Sequence, residues 1–196
     1  MTSRLAIVLF CSGLIPAAAF AQAPVAAPAA VQVAAAVAPL PEQFRADATV
    51  LGYSANAKGL IPLRNGTGPY TCLADDPSDG DRFHVACYHK SLEPFMLRGR
   101  QLRAQGVTNV DSARNAEIAA GTLEMPRQPM ALYSFTGKQA NVDAAGAVSG
   151  AQQLYVVYIP FATAESTGLP TRPSGGGPWL MGSGTPKAHI MFTTRM

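Results

Sequence analysis

RNGTGPYTCLADDPSDGDRFHVACYHK, Arg64 to Lys90, holds two cysteines, two histidines and a run of aspartates in one short stretch. These residue types serve a metal site, a catalytic cluster or a covalent staple around a loop, and choosing among them sets how the domain is held together. An EF-hand loop starting at Asp75 would place Pro77 at its third position and Ala86 at its twelfth, where a bidentate Glu belongs, so calcium in that geometry fails. DDPSDGD instead has the composition of a solvated turn. Zinc would need Cys72, Cys87, His84 and His89 together. If Phe83 to His89 is a strand, however, its side chains alternate, and the two histidines face apart.

The compartment favours the staple. MTSRLAIVLFCSGLIPAAAFAQA begins with Arg4, continues as an apolar run from Leu5 to Ile15, and ends on Ala19-Phe20-Ala21. That order is the signature of a secretory signal peptide over residues 1–21, with cleavage after Ala21. Its apolar run is shorter than the ~20 residues that span a bilayer. Cleavage removes Cys11 and leaves Cys72 and Cys87 as an even pair in an oxidising space, which predicts a disulfide and a periplasmic or secreted protein. Losing Arg4 also lowers the +3 charge balance by one, too mild to imply nucleic acid.

Residues 22–39, QAPVAAPAAVQVAAAVAP, contain only Ala, Pro, Val and Gln. With three prolines and no amphipathic face, this composition predicts a flexible tether, followed by a single domain over residues 40–196. Within the domain, Pro41 to Asp47 suggests a helical turn and Ala48 to Tyr53 a strand. Leu60 to Leu63 and Tyr70 to Leu73 flank Asn65-Gly66 and predict a hairpin. Leu92 to Gln105 carries Leu92, Phe95, Met96, Gly99 and Leu102 at helical spacing and ends at Gly106; a second helix is expected from Asp111 to Ala120. Met130 to Thr136 and Leu154 to Phe161 are rich in β-branched and aromatic residues, and the second is apolar on both alternating sets, as in a central strand covered on both faces. Gly137 to Gln153 between them is too polar for core. Helices grouped between sheet segments predict an α+β domain: a mostly antiparallel sheet, two packed helices and one disulfide.

Catalytic signatures are sparse. There is no G-x-S-x-G elbow, H-E-x-x-H, P-loop or C-x-x-C-H, and no cofactor or metal is expected. PWLMGSGTPKAHIMFTT, Pro178 to Thr194, is the most suggestive segment, because it combines the single Trp179 with Met181, Met191 and His189. One reading is a core strand whose histidine sits on its less apolar face. The other is a shallow ligand pocket with Trp179 and Met181 as walls and His189 as the orienting polar group.

RNGTGPYTCLADDP and GTPKAHIMFTT, about an eighth of the chain, resemble segments of small exported bacterial proteins of uncharacterised function. The resemblance implies export and assigns no activity. Sequence alone therefore leads to an exported, non-enzymatic module binding a small molecule or a cell-envelope partner. The competing reading is a hydrolase-like or metal-dependent enzyme that pairs His189 with His84 or His89 and an acid between Asp75 and Asp81.

Overall fold

A computed structural model describes residues 26–55, 57, 59–138 and 140–193. In chain order the elements are α1 (Ala29–Val37), α2 (Glu42–Arg45), β1 (Thr49–Gly52), β2 (Ile61–Arg64), β3 (Tyr70–Leu73) and β4 (Phe83–His89). A 3-10 turn (Lys90–Leu92) leads into α3 (Glu93–Ala104) and α4 (Val110–Ala119), then β5 (Met130–Gly137), β6 (Asn141–Val142), β7 (Val148–Ser149) and β8 (Gln152–Tyr158). The chain continues through α5 (Ala164–Thr167), β9 (Trp179–Met181) and β10 (His189–Thr193). One sheet of eight strands runs β2-β1-β3-β4-β5-β8-β10-β9, and β6 with β7 forms a separate small ribbon. All pairings in the large sheet are antiparallel except β1 with β3, so the α+β class with a mostly antiparallel sheet is the architecture observed. No helix among the described residues is long and apolar enough to cross a membrane.

Cys72 and Cys87 lie directly opposite each other on β3 and β4 and are joined by a disulfide. Both are fully buried, and the Asp-rich loop protrudes from the strand ends they tie together. The hairpin expected between β2 and β3 does not form, because β1 lies between them and pairs with both. Asn65-Gly66 carries the chain across the start of β1, so that it reverses around that strand rather than in a tight turn. There the Thr49 hydroxyl donates to the Gly66 carbonyl at 3.1 Å, and a Cβ on Gly66 would collide with the Asp47 and Ala48 backbone. Glycine is required at this crossing for close approach, not for a positive φ.

The helices α3 and α4 pack on one face of the sheet. Leu92, Phe95, Gly99 and Leu102 are buried along the α3 stripe, and Phe95 and Leu92 join Tyr88, Val156 and Tyr158 in one apolar cluster. Arg98 on α3 meets Glu117 on α4 through paired hydrogen bonds of 2.8 and 2.9 Å from Nε, and Gly106 and Gly121 end the two helices at positive φ. β8 is an internal strand, as its two apolar sets imply, with Val156 and Tyr158 buried while Leu154, Tyr155 and Val157 are half-buried. It stops at Tyr158 rather than Phe161. Pro160 brings no N–H to a ladder, and Phe161 takes a left-handed backbone (φ 64°) with its N–H donated to Thr185 O at 2.9 Å.

The other face is covered by a segment expected to be a tether. Residues 29–37 form α1, whose Ala36 and Val37, with the following Leu40, pack on Val50, Cys72 and Cys87. Alanine's small side chain lets the helix axis come close to the sheet: the Ala36 carbonyl oxygen lies 3.1 Å from Cys87 Sγ. Gln32, 7% exposed, fixes the orientation. Its Nε2 donates to Tyr53 O at 2.9 Å, and its Oε1 accepts from Tyr53 N–H at 2.9 Å, so the side chain pairs with the end of β1 as a neighbouring strand would. The domain boundary expected at residue 40 is therefore too late; the folded unit includes α1. Pro28 and Pro39 flank the helix rather than interrupt it. The leader expected over residues 1–21 lies outside the described residues.

Candidate functional site

Three segments that sequence reasoning set aside as connections converge beside the disulfide: the Ala/Pro-rich α1, the Asp-rich loop and the β6–β7 ribbon. They enclose a cleft of about 250 Å³ lined by Val31 and Ala35 of α1, Asp75 and Pro77 of the loop, Phe83, and Val142 of the ribbon. Gly146 lets the ribbon come this close, because a Cβ there would press into Ala34 and the α1 backbone. The walls are mainly aliphatic, and Asp75 is the one ionisable side chain among the lining residues.

The electrostatics of Asp75 follow from that setting. Burial pushes its carboxyl up to about 6, Asp79 and Asp76 add to the rise, and the His84 N–H, donated to Oδ1 at 2.6 Å, opposes it. Neighbouring Asp76 moves the other way. Against the upward push of its own partial burial, the Ser78 hydroxyl and N–H, donated to Oδ1 at 2.7 and 2.9 Å, and the Tyr53 phenol hold it below the usual carboxylate range. Two adjacent carboxyls thus have separated protonation ranges, and the one that titrates nearer neutrality faces the cleft.

The C-terminal residues singled out from sequence share one face of the sheet. Met181 pairs with His189, and Trp179 pairs with Met191. His189 is 6% exposed; its ring stacks on Tyr158 at 5.0 Å between centroids, and Nδ1 lies 2.7 Å from Lys187 O. Burial lowers its proton affinity. This is the geometry of the core-strand reading rather than of a ligand-orienting group. Alongside, Asp111 accepts from Lys187 and Arg114, and the buried Arg114 guanidinium lies 3.8 Å over the Phe95 ring while donating to Phe95 O at 3.2 Å. Arg114 Nε has no hydrogen-bond partner among the described residues. Together these groups clamp α4 and α3 onto the approach to β10.

The histidines do not converge. His84 and His89 point to opposite faces of β4, and His89 Nδ1 accepts from Ser91 N–H at 3.2 Å. His189 lies three strands away from β4 and six residues further along the sheet than His84, roughly 25 Å at ~4.8 Å per strand and ~3.3 Å per residue. His89 is equally three strands from β10, and its side chain lies on the face opposite His189. The pairing required by the enzyme reading, His189 with His84 or His89, is therefore not assembled. With both sulfurs in the disulfide, the Cys₂His₂ set is also unavailable, and no group of three or more His, Cys, Asp or Glu side chains is arranged to hold a metal among the described residues.

Comparison of the chain with protein-family models, curated proteins and solved structures gives no match.

Proposed function

We propose that the chain is an exported, non-enzymatic binding module of the bacterial envelope. Its ligand is a small molecule with a short apolar body and a basic amine, held in the cleft between α1, the Asp-rich loop and β6–β7. The leader sequence and the disulfide support the export half of this reading. The binding half is carried by one observation: an aliphatic cleft of about 250 Å³ with a single carboxyl, Asp75, raised to about 6.

An ammonium group entering the cleft would stabilise the Asp75 carboxylate and remove its cause for staying protonated. Affinity for an amine therefore rises as pH goes from 5 to 7.5, whereas a neutral isostere shows no such change. Titration of the protein with n-butylamine and 1-butanol, followed by NMR shifts of Val31, Ala35 and Val142, tests this. Binding of the amine that is saturable, stronger at pH 7.5 and lost in Asp75→Asn supports the proposal. Equal response to both probes, or amine shifts confined to other residues, overturns it.

A further inference from the structure

The α1 cleft is not isolated. Ala26 and Pro77 also line a second cleft of about 320 Å³, beside Ser54 and Ser78. Tyr53, Gly59 and Asp76 line that one and also a third, of about 510 Å³. The far wall of the third is the outer face of α3, where Leu97, Arg100, Gln101 and Ala104 follow at helical spacing with Arg103 beside them. Each neighbouring pair shares lining residues, so the three clefts lie side by side from α1 to the C-terminal turns of α3.

Its charges are sorted by position. Asp75 stands at the α1 end and Asp76 in the middle. At the α3 end Arg100 is engaged, its Nη2 with Glu93 Oε1 at 2.6 Å and its Nη1 with the Tyr88 hydroxyl at 2.9 Å. Arg103 is exposed and makes no ion pair among the described residues. Leu97, 41% exposed, offers an uncovered apolar contact on the same α3 wall as Arg103. An acid-to-base gradient along this row of clefts complements a ligand that carries its own cation and anion at opposite ends of an extended backbone.

The geometry points to a short extended peptide as the occupant, its free α-amino group at Asp75 and an acidic residue toward Arg103. This rests on the proposed amine-binding cleft and names the class of ligand that fills it. A saccharide would call for aromatic platforms, and Tyr53 is the one aromatic side chain lining the second and third clefts. An anionic membrane surface would be repelled by Asp75 and Asp76.

The test is calorimetric titration of the full mature protein with the hexapeptide Val-Ala-Ser-Leu-Ala-Glu, which extends to about 20 Å. Its N-acetylated form, a version ending in Lys, and n-butylamine serve as the comparison probes. The free peptide should bind more tightly than n-butylamine, and acetylation should weaken it about tenfold or more. The Glu-ended peptide should exceed the Lys-ended one by about two- to fivefold. Arg103→Glu should invert that preference, and Arg103→Gln should abolish it, with n-butylamine binding unchanged in both. If n-butylamine binds and the peptide binds no better, the peptide assignment fails while the amine cleft stands. If neither binds, the cleft itself is wrong. A preference that survives Arg103→Glu, or competition for the clefts by phosphatidylglycerol vesicles, overturns the assignment to peptide.

Discussion

At Asp75 a single carboxyl links fold stability to the proposed site. Its folded-state proton affinity is raised to about 6, above the ordinary carboxylate value, so the folded chain holds a proton that the unfolded chain has released. Stability from this group is fully present below the ordinary carboxylate range and is lost as pH rises through about 6. Asp75→Asn keeps an acceptor for the His84 N–H and removes the titration. At pH 7.5 it should stabilise the fold by about 1–2 kcal/mol, allowing for solvent screening, and at pH 4 it should be neutral. His189, depressed by burial, contributes the opposite slope, so the comparison is the difference between variant and parent urea midpoints at each pH. A pH-independent difference would show that Asp75 titrates normally. Gln32 is the second decisive residue. Gln32→Ala leaves the Tyr53 N–H and carbonyl without their partners, and it should cost about 2–3 kcal/mol with faster amide exchange at Tyr53. Unchanged exchange there would mean that the clamp carries no load.

Among the elements, those with their own periodicity were legible in the sequence. The α3 stripe, the second helix ended by Gly121, the β5 and β8 strands and the β3–β4 staple all follow from local pattern and an even cysteine pair. Removing the staple with Cys72→Ala and Cys87→Ala together should lower stability by about 3 kcal/mol or more, and native material should weigh two hydrogens less than its reduced form. Unfolding midpoints that match with and without reductant would contradict this. Two elements were not legible, for definite reasons. Asn65-Gly66 carries the composition of a tight turn, yet its glycine is needed where the chain passes over β1, a non-local contact that a dipeptide cannot reveal. Residues 29–37 lack an amphipathic face because alanine lines both sides of the helix, and what holds it is proximity to the disulfide and the Gln32 clamp. The candidate cleft was missed with it. Each of its walls, taken separately, has the composition of linker or turn, and only their convergence makes a site.

At the scale of the whole molecule, the described residues build one eight-stranded sheet with a different cover on each face, and its integrity depends on both. On one face, α3 and α4 carry large side chains; on the other, α1 shields Val50, Cys72 and Cys87, each fully buried, with small ones. A chain beginning at Leu40 would keep every strand and lose that shield. Exposing the Val37 contact and two alanines forfeits a few kcal/mol of burial, and losing the Gln32 pairing adds about 2 more. The total, on the order of 5 kcal/mol, is comparable with the entire net stability of many domains, which begins near 5 kcal/mol. Such a truncated protein should unfold at much lower urea than one that keeps α1 and bind the dye ANS before its main transition. It should also lose n-butylamine binding, since Val31 and Ala35 leave with the helix. Urea curves followed by Trp179 fluorescence for the two chains decide the matter. Coincident curves would return residues 22–39 to the role of tether, and with that the cleft would lose its roof.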